Sequence, residues 1–214
     1  MPVAADAKRR AARIARRLAE AFPDAGCSLD FRSPLELLIA TILSAQCTDV
    51  RVNLVTKSLF RKYPTAAHYA RAKLPDLERD IQSTGFFRNK AKSIQNCCRT
   101  LLERYEGQVP EQMDQLVELS GVGRKTANVV LGTAFGIAAG VVVDTHVGRI
   151  SRRLGLSQEK DPEKLERDLM EQFAQKEWIA LSHRMIHHGR RYCMARSPKC
   201  DECPLAPLCP RIGV

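Results

Sequence analysis

An all-α fold is what this sequence predicts, on three observations. Apolar residues recur at helical spacing along almost the whole chain. The connections between these segments are short and marked by Pro, Gly, Asp or Ser, and no two segments alternate polar and apolar residues as paired strands would. About ten helices are expected, with no internal repeat and no low-complexity linker.

The first segment, "MPVAADAKRRAARIARRLAEAF", places Ile14, Leu18 and Phe22 on one helical stripe and Arg9, Arg13, Arg16 and Arg17 elsewhere. Its Ala and Arg content is like that of a transit peptide, but it lacks hydroxyl residues and carries Asp6, Glu20 and Asp24. It is read as part of the fold, with a basic face near a phosphate chain. The next helix has a strong start: Ser33 as N-cap, Pro34 at the first helical position and Glu36 closing a capping box. Its pattern pauses around Ser44 to Thr48 and then resumes. Further helices fit 66–73, 75–83, 88–105, 111–118, 123–135, 145–155, 161–173 and 177–190. The valines at 141–143 look strand-like but have no partner run.

A chain of 214 residues can bury a sizeable core as one large domain or two small ones. No apolar run approaches the roughly 18 to 20 residues of a membrane span, so a soluble protein is expected. Lys and Arg number 34 against 24 Asp and Glu, a net charge of +10, which points to a polyanion, either nucleic acid or an anionic surface.

Four of the eight cysteines fall in "CMARSPKCDECPLAPLC", with Cys193, Cys200, Cys203 and Cys209 spaced C-x6-C-x2-C-x5-C. Four thiolates on one short flexible segment are what a metal centre needs. The reducing compartment expected for a chain without a signal peptide disfavours disulfides. Zinc and a four-iron cluster both accept four thiolates; a single C-x2-C pair with the outer cysteines standing apart favours iron and sulfur. Cys27, Cys47, Cys97 and Cys98 are scattered among apolar residues and are expected to be ordinary core or boundary thiols.

The stretch "LSGVGRKTANVV" turns through Gly121 and Gly123 into a helix. Glycines allow positive φ and close backbone approach, and a helix N-terminus adds unpaired N–H donors and a positive pole, so the turn is expected to seat a phosphate. In the helix that follows, Ala127, Val130, Leu131 and Ala134 form the buried stripe, which turns Lys125 outward. An outward lysine beside Arg124 is either a phosphate contact or a nucleophile able to form a Schiff base. An ordinary lysine is neutral in about one molecule in 2,500 at pH 7, a handicap of roughly 4.6 kcal/mol, which the helix end, Arg124 and desolvation by Val129 would oppose. In "VVVDTHVGRISRR", Asp144 follows a buried valine run and precedes a helix. It is an N-cap contributing about 0.5 to 2 kcal/mol, and a carboxylate held there is also placed to steer a proton or stabilise a sugar cation. His146 is expected to be packed or hydrogen-bonded.

With "LSGVGRKTANVV", "VDTHVGRI", "LLIATILSAQCTD" and the cysteine run in place, the chain resembles the endonuclease III family of base-excision DNA glycosylases over roughly residues 10 to 212. The resemblance implies two helical lobes with a DNA-binding cleft. One is a six-helix barrel over 28–137 containing a helix-hairpin-helix; the other, 1–27 plus 138–214, holds a [4Fe-4S] cluster on Cys193, Cys200, Cys203 and Cys209. It implies Lys125 as nucleophile, Asp144 as its partner, and a damaged pyrimidine flipped from double-stranded DNA. In this family a glutamine fills the vacated space and a second loop wedges the opposite strand, which maps to Gln46 and to Phe86 in "TGFFRNKA". Asp49 and His146 would lie near the base pocket, and Gly121, Gly123, Arg124, Arg149, Arg153, Arg196 and Lys199 near phosphates. A monovalent cation is implied at the carbonyls of Val117, Leu119 and Val122. A monomeric, cytoplasmic, nucleoid-associated enzyme with no membrane partner is expected.

Three departures from the family pattern stand out: Ser120 where proline is common, one extra residue between Lys125 and Asp144, and "GFFR" in place of a "GLYN" type of wedge, which leaves opposite-base preference open. Two rivals make different demands. An adenine-mispair glycosylase lacks the lysine at 125 and carries a further C-terminal domain, and a non-catalytic DNA-binding module of the same fold would lose Lys125 or Asp144.

Overall fold

A computed structural model describes residues 2–214, with side chains from residue 5 onward. Among the described residues there are eleven α-helices, three short 3-10 turns and no strand. The chain folds as two compact units, one spanning Cys27–Ile137 and the other joining the segment before it to Ala138–Val214. Helix α1 (Pro2–Ala21) belongs to the second of these.

The Cys27–Ile137 unit is built around α2 (Pro34–Leu43), every residue of which from Leu37 to Leu43 is buried. A helix apolar on all sides has to be central, and α2 is wrapped by α3 (Asp49–Lys62), α6 (Phe87–Tyr105) and α8 (Arg124–Phe135). Its start is capped as the sequence requires: Ser33 Oγ accepts the Glu36 N–H at 3.2 Å. The reciprocal arm lands one residue early, on the Arg32 N–H at 2.6 Å, so two of the donors at this helix end are still satisfied. Helices α4 (Ala66–Arg71) and α5 (Leu74–Asp80) lie on α6, while α7 (Met113–Val117) packs on α8. Lys62 and Tyr63 both donate to Asp80, at 2.6 and 2.8 Å, and so pin the end of α3 to α5. The helix expected over 75–83 is divided: α5 stops at Asp80 and a 3-10 turn, Gln82–Thr84, runs into Gly85 at φ +69°. Two successive left-handed residues, Gly85 and Phe86, cannot continue a right-handed helix.

In the other unit α1 buries Ala11, Ile14 and Leu18, with Phe22 just past its end, against α10 (Pro162–Gln172) and α11 (Trp178–Arg191), with α9 (Thr145–Arg153) beside α11. The three valines before α9 form an extended segment without a β partner. Val141 and Val143 enter the core, and the Val142 N–H donates to Ser182 Oγ at 2.9 Å, which meets its backbone need without a sheet. On the outer face of α1, Arg9 pairs with Asp6, and Arg16 with Glu20 at 3.7 Å, so part of its basic character is locally balanced.

Candidate active site and cysteine loop

The glycine turn is closed by the Val122 N–H donating to the Leu119 carbonyl at 3.0 Å, with both side chains buried beneath it. Its two glycines do different jobs. Gly121 has φ +80°, and a Cβ there would stand 2.9 Å from Ser93 Cβ on α6, so both conformation and space demand glycine. Gly123 departs from the expectation: it is extended, at φ −94°, and a Cβ would meet nothing within 4 Å. As the N-cap of α8 it offers no side chain to accept from the first-turn N–H groups, which keeps that helix end open to an anion. Lys125, the second residue of α8, is exposed, while Ala127, Val130 and Leu131 are buried. The stripe weakens at Ala134, which is half-buried, and gains Asn128, which is buried.

Two other turns of this unit carry the expected wedge residues. The link from α2 to α3 is tightened by the Cys47 N–H donating to the Ser44 carbonyl at 3.1 Å, and Gln46 within it is exposed at φ +52°. Phe86, N-cap of α6, has φ +47° and is 64% exposed, so it is not a core aromatic. Non-glycine residues in this region cost of order 1–3 kcal/mol each and persist only where the surroundings impose them. The cap of α3 is the residue before Asp49. Thr48 holds that place, accepting from the Arg51 N–H at 3.3 Å, and Asp49 is the first helical residue, where its charge suits the helix pole.

Asp144 is the N-cap of α9, its Oδ1 accepting the Val147 N–H at 2.8 Å, and buried Val143 and Val147 hold the chain on either side. His146 is packed between α9 and α11: its Nδ1 lies 3.0 Å from an Arg149 nitrogen, and a Cβ on Gly189 would come within 2.6 Å of it. Burial, with Arg149 and Arg190 adding to it, draws the His146 pKa below the usual imidazole value against the pull of Asp144. Arg149 was expected at a phosphate. Its guanidinium turns instead to the Cys193 carbonyl, at 3.0 and 2.8 Å from two nitrogens, and joins α9 to the end of α11.

Cys193, Cys200, Cys203 and Cys209 line one cavity with Ile150, Leu205 and His188, leaving about 30 Å³ to the centre of a water-sized sphere. One water needs about half of that or less, so the four thiols surround room for a larger group. The donor chemistry fits an iron–sulfur centre. Burial pushes the Cys203 thiol up, and Cys193, Cys209 and Cys200 push the same way, so a bound cationic centre would offset what opposes its thiolate here. N–H groups already approach the sulfurs: Arg153 Nη1 is 3.4 Å from Cys193 Sγ, and the Arg211 N–H is 3.4 Å from Cys209 Sγ. A ring nitrogen of His188, which burial holds at a pKa of about 4, lies 3.6 Å from Cys203 Sγ. Arg196 and Lys199 are exposed on the loop between the first two cysteines. Arg153, expected with them, is only 8% exposed and donates to the Met194 and Ala195 carbonyls at 2.7 and 3.0 Å. Outside the loop, Cys97 and Cys98 are buried, and burial lifts Cys97 to about 12, while Cys27 and Cys47 are half-buried.

Three contributors to this framework had no signal in the sequence. Arg10, one of many arginines in α1, donates to the carbonyls of Leu154 and of Leu208, the latter at 2.8 Å, and ties the helix to the cysteine loop. His188 is one of three histidines in α11, with His183 and His187. Lys90 is 6% exposed, with its Nζ 2.7 Å from the Leu43 carbonyl and 2.8 Å from that of Thr84.

Comparison with known proteins agrees with this layout. Residues 39–175 match the HhH-GPD superfamily of base excision DNA repair proteins, and residues 193–209 match the iron–sulfur binding domain of endonuclease III. The chain is 55% identical to endonuclease III of Synechocystis sp. over 96% of its own length and 94% of that protein's. It is similar to a solved non-covalent endonuclease III–DNA complex, with a TM-score of 0.91, 49% identity and 95% of each chain covered. A trapped endonuclease III–DNA covalent intermediate matches with a TM-score of 0.91 and 48% identity, covering 95% of this chain and 96% of that one. The chain therefore belongs to the endonuclease III family, and is a base-excision DNA glycosylase with AP lyase activity that carries a [4Fe-4S] cluster.

Proposed function

We propose that the chain excises oxidised pyrimidines of the thymine glycol type from double-stranded DNA and cuts the product 3′ to the abasic site, with Lys125 as the nucleophile. The observation that carries this reading is an exposed lysine on the first turn of a helix whose N-cap, Gly123, has no side chain. The amine would attack C1′ of the flipped nucleotide, and the base would leave with the bonding pair and take up a proton. Asp144, fixed by its cap bond, would assist deprotonation of the amine or balance charge on the sugar. Loss of the ring C–O bond then gives a Schiff base, which acidifies the 2′ C–H; removal of that proton expels the 3′ phosphate, and water frees Lys125. One amine serves both steps.

Gln46 would fill the space left by the flipped base and Phe86 would press on the opposite strand. The hairpin with Gly121, Gly123 and Arg124 would seat a phosphate, as would Arg196 and Lys199. A monovalent cation would bind the carbonyls of Val117, Leu119 and Val122; the Leu119 oxygen accepts from Val122 and keeps a second lone pair. Cys193, Cys200, Cys203 and Cys209 would hold the cluster, whose contribution is to cross-link a C-terminal loop that has little regular structure of its own. The enzyme would act as a cytoplasmic monomer on nucleoid DNA. Among the described residues no helix is long and apolar enough to cross a membrane.

The test is borohydride capture on a duplex containing thymine glycol. Wild type is expected to form a covalent adduct, and Lys125→Gln to lose it by at least about 10³-fold. Capture by the variant at the wild-type rate would refute the assignment.

A further inference from the structure

Lys90 is buried, far from the hairpin's cations in sequence, and has no part in the chemistry set out above. It lies on the first turn of α6, and its Nζ reaches two carbonyls in different parts of the chain. Leu43 ends α2, three residues before Gln46, and Thr84 ends the 3-10 turn, two residues before Phe86. Both Gln46 and Phe86 are non-glycine residues held in the left-handed region with exposed side chains, a state that needs outside support. A single side chain thus fastens the chain just upstream of both turns. Burial draws the Lys90 pKa below the ordinary lysine value, and the two carbonyls are what its amine has in exchange for water. Three residues further along α6, Ser93 is the residue against which Gly121 is pressed, so the same helix also backs the hairpin turn.

We propose that Lys90 is a positioning residue for base extrusion: it sets Gln46 and Phe86 in one fixed frame, so that filling the vacated space and wedging the opposite strand occur together. This rests on the reading of Gln46 and Phe86 as the residues that enter the duplex. A methionine at 90 would fill the space but leave both carbonyls without a donor, freeing each turn to move separately. Misplacement of about 1 Å is enough to cost on the order of 10²-fold in rate.

The experiment compares two substrates with the cluster-loaded enzyme. One is a duplex containing thymine glycol, which requires a base to be extruded; the other is a duplex with a preformed abasic site, which has none. Wild type, Lys90→Met, the Gln46→Ala/Phe86→Ala double variant and the triple variant are compared at a temperature where circular dichroism shows all of them folded. Lys90→Met is expected to excise thymine glycol about 10- to 100-fold more slowly while borohydride capture at the abasic site stays within about threefold of wild type. Added to the double variant, it is expected to change excision by less than about twofold, because it acts through those two residues. Equal loss on both substrates, or a full further loss in the triple variant, would show that Lys90 supports the fold alone and overturn the proposal. Should Lys90→Met fail to fold, Lys90→Gln, which keeps an N–H donor but reaches less far, is read by the same criteria. Wild-type excision by the double variant would sink the wedge reading itself, whereas a slow double variant beside an unimpaired Lys90→Met would sink only the role of Lys90.

Discussion

The two units of this basic chain use their cations in opposite ways. In the Cys27–Ile137 unit the hairpin leaves Lys125 exposed on an uncapped helix end, while buried Lys90 turns inward and bonds to the backbone near the exposed turns. In the other unit Arg10, Arg149 and Arg153 are directed at carbonyls around the cysteine loop, where five-donor guanidiniums satisfy a segment with little regular secondary structure. A net charge of +10 is therefore not a measure of DNA contact. Several of these charges are internal fasteners, and the loop, whose own turns satisfy only part of its backbone, takes further donors from the arginines around it.

The sharpest way to break this contrast is at Asp144, which combines a structural bond with a proposed chemical role. Asp144→Asn keeps an N-cap oxygen and is expected to lower the excision rate by about 10²- to 10⁴-fold with little change in stability. Asp144→Ala should show a similar rate loss together with about 1 kcal/mol of lost stability. Thermal unfolding beside single-turnover rates separates the two, and equal stability of the two variants would remove the cap from the account.

Next in size is a pair within one loop. Arg153→Met leaves the Met194 and Ala195 carbonyls without their donors, at about 1–3 kcal/mol each, and is expected to lower both the unfolding temperature and the iron content of purified protein. Arg196→Ala should leave both unchanged while weakening DNA binding and reducing the slope of log affinity against log salt by about 0.9. If Arg196→Ala sheds iron and Arg153→Met only binds DNA less well, inward and outward roles have been assigned the wrong way round. The smallest contrast lies in the glycine turn. Gly121→Ala is expected to cost about 1–3 kcal/mol, through positive φ and the contact with Ser93, whereas Gly123→Ala should be within about 0.5 kcal/mol. Comparable denaturation midpoints for the two would show that the turn tolerates a side chain at either position.

Much of this architecture is legible in the amino-acid sequence, because the signals that set it are local. The Ser33–Pro34–Glu36 start, the apolar stripe from Ala127 to Leu131 and the Asp144 cap are each set within one or two helical turns, and they appear where periodicity and capping place them. Cysteine spacing is similarly local, and the four cysteines line one cavity. Legibility ends where a residue's partner lies far along the chain. Lys90 bonds across 47 residues to Leu43, and Arg10 across 198 to Leu208; nothing in the neighbouring sequence of either marks the distant partner. The carbonyl bonds of Arg149 and Arg153 are hidden for the same reason, since a guanidinium on a helix looks alike whether it faces water or a carbonyl of another segment. The strained φ of Gln46 and Phe86 is also invisible in the sequence, because neither residue type announces a left-handed turn.

The central claim is that Lys125, rather than another cation of a lysine- and arginine-rich surface, forms the bond to DNA. Mass-spectrometric mapping of the borohydride-reduced adduct tests it most directly. The account places the reduced sugar on the Lys125 Nζ, with no adduct in Lys125→Gln. A modified peptide carrying any other lysine, or the N-terminal amine, would contradict it.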